Sequence, residues 1–266
     1  MKKITTKFIK ESKGKNAQKL TMITAYDALF AKIFDAKVDM ILIGDSLEMS
    51  FGGKNDTLKA TMDNMLYHTK AVCAGAKTSL IIMDMPFGSV NDKKTALKNA
   101  SRVYQDSDAD AIKIECNADN MHIIEYLCKN QIAVMAHIGL TPQSSRSEGG
   151  YIVKGKDEKN INDLIKVAKM SQDAGAFSVL VEGVTNQAAK MITEAVDVPV
   201  IGIGAGNSTD GQVLVWSDML GFFDEFKPKF VRRFLDGKKL VEDATDEYIK
   251  AVKSGNFPSE DESYRV

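Results

Sequence analysis

Six side chains able to bind a cation or carry a proton stand at or just past the ends of short apolar runs. They are Asp45 in Gly44-Asp45-Ser46, Asp84 before Met85-Pro86, Lys113 and Glu115 two apart, His137 before Ile138-Gly139, and Glu182 before Gly183. Carboxylates are hard oxygen donors, and two or three of them suit Mg²⁺, which keeps positions open for water and substrate. No His/Cys grouping has zinc spacing, so a soft-metal site is disfavoured. A bound cation polarises a carbonyl, and a carboxylate left off the metal can act as general base. The set therefore suits proton abstraction beside a carbonyl. Each residue alone has a plainer role: Asp45 a helix cap, Asp84 a turn residue, Lys113–Glu115 a structural ion pair, His137 a hydrogen-bonded core histidine, Glu182 a partner for any lysine. Their joint appearance at successive run ends favours chemistry.

The elements that must position them follow from the hydrophobic pattern. Strands are expected at Leu20–Thr24, Met40–Gly44, Leu80–Asp84, Ala111–Glu115, Ile132–Ile138, Ser178–Glu182, Val198–Gly204 and Val213–Trp216. Several are apolar on both faces, as in a buried parallel sheet. Amphipathic stretches between them read as helices at Tyr26–Ala36, Met62–Ala74, Lys93–Ser107, Asp119–Asn130, Asn162–Ala174 and Gln187–Val196. Eight such units in 266 residues predict a (βα)₈ TIM barrel, one domain over 1–266, with a doubly wound open sheet as runner-up. Lys2 to Asn16 is expected as an extra N-terminal helix and Ser254 to Val266 as a polar tail. The longest connections, Ser46–Thr61 and Gly139–Asp157, both follow strands, on the side where barrels build active sites.

Bulk properties narrow the partners. Lys+Arg 35 against Asp+Glu 36 leaves a net charge of -1, which argues against nucleic acid. The Lys-rich start, Met1 to Lys19, lacks the apolar run of a signal peptide, and no segment approaches the ~18 apolar residues of a membrane span. Cys73, Cys116 and Cys128 form no C-x-x-C pair. A cytoplasmic enzyme without membrane partners is expected. The run Gly202 to Asn207 follows strand seven, where barrels often bind phosphate, yet a tight turn explains it equally well. It fails as a dinucleotide fingerprint because Asn207 stands at the third glycine. His68 and His122 read as packing or surface residues, and Met83, Met85 and Met135 as core filler.

Taken in order, the segments MITAYDA at 22–28, IGDSL at 43–47, YHTKAV at 67–72, KIE at 113–115, HIGLTPQS at 137–144, GGY at 149–151, VPVIGIGAGN at 198–207 and TDGQ at 209–212 resemble the ketopantoate hydroxymethyltransferase family. The resemblance implies a barrel with one Mg²⁺ per subunit, using 5,10-methylenetetrahydrofolate and the 2-oxo acid 3-methyl-2-oxobutanoate to make 2-dehydropantoate for pantothenate biosynthesis. It implies Asp45, Asp84 and Glu115 as metal ligands and Asp45, Ser46, Asp84 and Lys113 as substrate contacts. Glu182 would be the proton acceptor and His137 a supporting residue. It also implies a homo-oligomer, commonly a decamer. The chain departs from the family pattern at Lys59, Cys116-Asn117, Ala136 and Gly183–Thr185.

Two other readings stand beside this one. A lyase or mutase barrel acting on 2-oxo acids or phosphoenolpyruvate would carry a catalytic cysteine, for which Cys116 is the only candidate, or a long mobile gating loop near the metal. A non-catalytic binding barrel would not need a carboxylate such as Glu182 beside the metal.

Overall fold

The computed structural model describes residues 2–14, 18–223 and 228–264. Eight parallel strands close on themselves: β1 (Leu20–Thr24), β2 (Met40–Ile43), β3 (Leu80–Asp84), β4 (Ala111–Glu115), β5 (Val134–Gly139), β6 (Ser178–Glu182), β7 (Val200–Ile203) and β8 (Gly211–Leu214). Each pairs with its sequence neighbour, and β8 closes the ring against β1. The expected barrel is therefore the fold, and the open sheet is excluded.

Differences lie at the ends of elements. β8 begins two residues earlier than expected, and Trp216 opens a short helix, Trp216–Met219, rather than ending a strand. β7 starts at Val200, after Pro199, which lacks the N–H a ladder needs. The N-terminal helix is shorter than expected, Thr6–Glu11; Lys15 and Asn16 lie outside the described residues, as do Arg265 and Val266 of the expected tail. No helix separates β7 from β8; residues 204–210 form a loop.

Local chemistry starts the helices that follow the strands. Asp27 accepts from the backbone N–H of Leu29 and Phe30, Thr61 from Asn64, Asp92 from Lys94 and Thr95, Asp157 from Asn160, and Thr185 from Ala188. These side chains satisfy the donors that a helix start leaves open. Gly75 ends the helix Met62–Gly75 where an added Cβ would lie 2.2 Å from the carbonyl oxygen of Ala28, so only glycine permits that contact.

At the N-terminal end of the barrel, aspartates hold the backbone. Asp39 accepts from Thr21 N, Asp110 from Ile81 N and Asp210 from Val200 N, each at 2.8 Å. Asp35 accepts from the N–H groups of Lys77, Thr78 and Ser79 and so fixes the entry to β3. Burial opposes the Asp35 charge, but these backbone bonds outweigh it and hold its pKa down at about 2. Asp35→Ala is expected to lower stability by about 1.5–3 kcal/mol in urea unfolding at neutral pH. A depressed folded pKa contributes stability above the unfolded pKa of roughly 4. The gap between wild type and Asp35→Ala should therefore close as pH falls from about 4 toward about 2; a gap independent of pH would rule out this anchor.

Alternation along the strands decides what faces the barrel axis. The interior cluster takes Leu20 and Met22 from β1, Met40 and Leu42 from β2, Leu80 and Ile82 from β3, Ala111 from β4, Met135 from β5, Leu180 from β6, Ile201 from β7 and Val213 from β8. Ile9, fully buried, adds the N-terminal helix to the same cluster. Continuing each strand by two residues puts Asp84, Lys113, Glu115, His137 and Glu182 on the interior face as well. The sheet that packs the core thus aims the polar set into the barrel's C-terminal mouth.

The described residues form two compact units, 1–215 and 216–266. The first holds the barrel. In the second, the helix Gly237–Ser254 buries only Gly237 and leaves Leu240, Val241, Tyr248 and Val252 exposed. Among the described residues, no helix is long and apolar enough to cross a membrane.

Candidate active site

Strand register brings the polar residues together in pairs. Asp84 lies opposite Lys113, Glu115 opposite His137, and Gly139 opposite Glu182. The Lys113 ammonium donates to Asp84 Oδ2 at 2.5 Å, with both side chains almost wholly buried. Asp45 sits just past β2, and its backbone N–H reaches Asp84 Oδ2 at 3.4 Å. His137 lies between two acids, Nδ1 3.8 Å from Glu115 Oε1 and Nε2 3.4 Å from Glu182 Oε2. Gly139 has φ +97, and a Cβ there would lie 2.4 Å from the carbonyl oxygen of Glu182. Glycine at 139 therefore lets β5 close against β6 and sets the backbone that carries Glu182.

The charges do not balance. Burial, then repulsion from Asp84, pushes the Asp45 pKa up to about 7, against the opposing pull of Lys113 and Gln143. Burial likewise lifts Glu115 well above the usual carboxylate range, with Lys113 opposing and Asp45 and Asp84 adding to the rise. Glu182 is raised by burial to about 7, with Lys113 pulling the other way. Burial works against the Lys113 ammonium too, but Asp84, Asp45 and Glu115 outweigh it and raise its pKa. Burial and the nearby Lys113 hold His137 well below its usual value, so its ring is neutral at pH 7. One lysine thus faces four acids, and burial raises the pKa of three of them.

This imbalance is what an oxygen-binding cation would relieve. Asp84 Oδ1 is buried with no hydrogen-bond partner among the described residues, whereas the aspartates at the opposite end of the barrel are satisfied by backbone N–H groups. Among the described residues, no three His, Cys, Asp or Glu side chains stand close enough to enclose a metal unaided. Two carboxylates completed by water and substrate oxygens is the coordination that Mg²⁺ prefers. The donor set fits such a cation.

Two contributors escaped the strand-end logic. Tyr26, buried, places its hydroxyl 2.9 Å from Ser46 Oγ, and its carbonyl meets His68 Nδ1 at 2.6 Å. Gln143, in the loop after β5, donates through Nε2 to Asp45 Oδ2 at 2.9 Å and through its backbone N–H to Glu115. Both lie inside the segments quoted above, at positions where strand alternation says nothing. His122 meets the carbonyl of Asp119, on the exposed surface. The glycines at 202–206 form a packed turn: a Cβ on Gly206 would lie 2.2 Å from Asn186 Oδ1, and Gln212 donates to the Gly206 carbonyl. Cys116 points away from Glu115, with Sγ 3.9 Å from Ser171 Oγ on the helix Glu158–Asp173. Burial pushes that thiol up to about 12, so it stays protonated at neutral pH.

Comparison with known proteins gives consistent results. Residues 3–260 match the family model described as ketopantoate hydroxymethyltransferase. The chain is 58% identical over 251 residues to 3-methyl-2-oxobutanoate hydroxymethyltransferase of Aliarcobacter butzleri (strain RM4018), covering 94% of this chain and 93% of that one. It is 56% identical over 263 residues to the Helicobacter hepaticus protein of the same name, covering 99% of each. Among solved structures it resembles 2,3-dimethylmalate lyase, of the PEP mutase/isocitrate lyase superfamily, with a TM-score of 0.62 at 14% identity over 97% of this chain and 91% of that one. It also resembles phosphonopyruvate hydrolase, with a TM-score of 0.62 at 13% identity over 100% of this chain and 92% of that one. At such identities the two structures speak for the barrel alone.

Proposed function

The chain belongs to the ketopantoate hydroxymethyltransferase family, and on that premise we propose that it transfers a one-carbon unit from 5,10-methylenetetrahydrofolate to 3-methyl-2-oxobutanoate. The product is 2-dehydropantoate, on the way to pantothenate, and the reaction uses one Mg²⁺. The reading draws its main support from the gathering of Asp45, Asp84, Glu115 and Glu182 with a single buried lysine at one end of the barrel, where Asp84 Oδ1 is left without a partner among the described residues.

Asp45 and Asp84 would hold the cation, with Glu115 beside them directly or through water; when bound, Mg²⁺ supplies polarisation of the substrate's keto oxygen. Lys113 offsets the charge of the 2-oxo acid, and Ser46, steadied by Tyr26, helps orient it. Glu182 takes the proton from C3, and the electron pair of that C–H bond remains on carbon. His137, neutral and with Nε2 3.4 Å from Glu182 Oε2, would play a supporting role beside that carboxylate. C3 then bonds to the folate-borne methylene as one of its two C–N bonds breaks; water displaces the second nitrogen and leaves its hydroxyl on that carbon, and the proton taken from C3 and the remaining proton of water end on the two nitrogens of the departing tetrahydrofolate.

The test is loss of the C3 proton of 3-methyl-2-oxobutanoate in D₂O, followed by NMR. Exchange should need Mg²⁺ but not folate, and adding methylenetetrahydrofolate should then yield 2-dehydropantoate. Folded, Mg²⁺-loaded protein that gives no exchange would refute the reading. The pH profile is a second check. A base must be deprotonated to act, and Glu182 ionises at about 7. The exchange rate should therefore rise with pH through about 7, and a flat profile from pH 5 to 9 would remove Glu182 from the step.

A further inference from the structure

Gln143 joins three parts of the site that are far apart in the chain. Its side-chain nitrogen donates to Asp45 Oδ2 at 2.9 Å and to the carbonyl of Met85, just past β3, at 3.0 Å. Its backbone N–H lies 3.1 Å and 3.3 Å from the two carboxylate oxygens of Glu115. Chemistry fixes the orientation of the amide: the Met85 carbonyl only accepts, so the NH₂ end must face it, and Asp45 Oδ2 beside it then accepts as well. Both of its hydrogens are then used on groups that belong to different strand ends. The loop carrying Gln143 is tied a second time, because Arg146 donates to Asp56 at 2.7 Å in the loop that follows β2.

We propose that Gln143 is a positioning residue that holds the carboxylates of Asp45 and Glu115 in the arrangement a divalent cation binds, and that through this bond to Asp45 a bound cation steadies the 140–157 loop. This rests on the metal-dependent reading above. The amide suits the task because it donates without bringing charge. A lysine there would compete with the cation, and a carboxylate would repel Asp45. Capping one oxygen of Asp45 also restricts how that carboxylate can turn, which lowers the ordering cost of binding.

The experiment is direct Mn²⁺ titration of the full chain without substrate, following free Mn²⁺ by EPR, for wild type, Asp45→Asn, Gln143→Met and Gln143→Ala. Methionine keeps the length of glutamine and removes the donors, so a loss shared by both Gln143 variants reports hydrogen bonding rather than volume. Circular dichroism and urea unfolding of metal-free protein check that each variant is folded. Both variants should bind Mn²⁺ roughly 10- to 100-fold more weakly than wild type, the usual effect of losing a hydrogen bond behind a metal ligand. Limited proteolysis within residues 140–157 should be slowed by Mn²⁺ in wild type but not in Gln143→Met. If wild type binds Mn²⁺, Asp45→Asn loses it and Gln143→Met binds within twofold of wild type, the role of Gln143 is overturned while the metal site stands. Were wild type itself to bind no Mn²⁺ even with 3-methyl-2-oxobutanoate added, the metal-dependent reading would fall and the role of Gln143 with it.

Discussion

Glu182→Gln is expected to slow Mg²⁺-dependent C3 proton exchange by about 10²–10⁴-fold, the range usual for removal of a general base. The substitution keeps the shape of the side chain. It also keeps the backbone contact at Gly139, where the β5–β6 approach depends on the absence of a Cβ rather than on charge. What it removes is the group able to accept a proton. Mn²⁺ affinity and stability should stay close to wild type, because Glu182 is not among the proposed metal ligands. An exchange rate within about fivefold of wild type, in protein that still binds Mn²⁺, would exclude Glu182 as the proton acceptor. Asp45→Asn separates the two functions from the other side: it should lose Mn²⁺ binding and exchange together.

The second large effect concerns stability. Among the described residues Lys113 is the one cation in contact with Asp84, and its charge also opposes the raised pKa values of Asp45, Glu115 and Glu182. Replacing it with Met keeps much of the volume and strands a buried carboxylate. Breaking a buried pair from one side typically costs about 3–5 kcal/mol, and Lys113→Met should lose about that much in urea unfolding at pH 8 without metal. The loss should shrink on acidification. Without the lysine, the folded-state pKa values of the neighbouring acids rise, so the native protein holds protons that the unfolded chain releases, and stability falls as pH rises. Lys113→Met should therefore be more stable at pH 5.5 than at pH 8. Millimolar Mg²⁺ should restore part of the loss at pH 8, because a cation can take over neutralisation of the same acids. Unfolding of Lys113→Met at the wild-type midpoint at pH 8 would mean that the Asp84–Lys113 pair carries no net stability.

Legibility from sequence followed the range over which each constraint acts. The eight strands were readable because a buried parallel strand is a local apolar run, and period-two alternation is a property of a few consecutive residues. That alternation alone sends Lys113 and Glu115 to one face and carries Asp84 and Glu182 into line with Ile82 and Leu180. The ends were less legible. Trp216 is as apolar as a strand residue but starts a helix, and the β7 start is set by Pro199, a residue that looks permissible in an apolar run. The helix Gly237–Ser254 repeats apolar residues at Leu240, Ala244, Tyr248 and Val252, a helical period diluted by the many charges between them.

What the chain's linear order determined was the barrel, the inward polar set and the family, because each rests on short segments read in sequence. The tertiary structure alone decided which acid meets which base. The stagger between strands puts Asp84 against Lys113 and His137 between Glu115 and Glu182. It also decided that Tyr26 supports Ser46 across 20 residues and that Gln143 spans 98 residues to Asp45. The physical reason is that irregular loops have no period. Where a loop side chain lands depends on the path of the whole connection and on what the barrel end offers it, and neither is written in its neighbours.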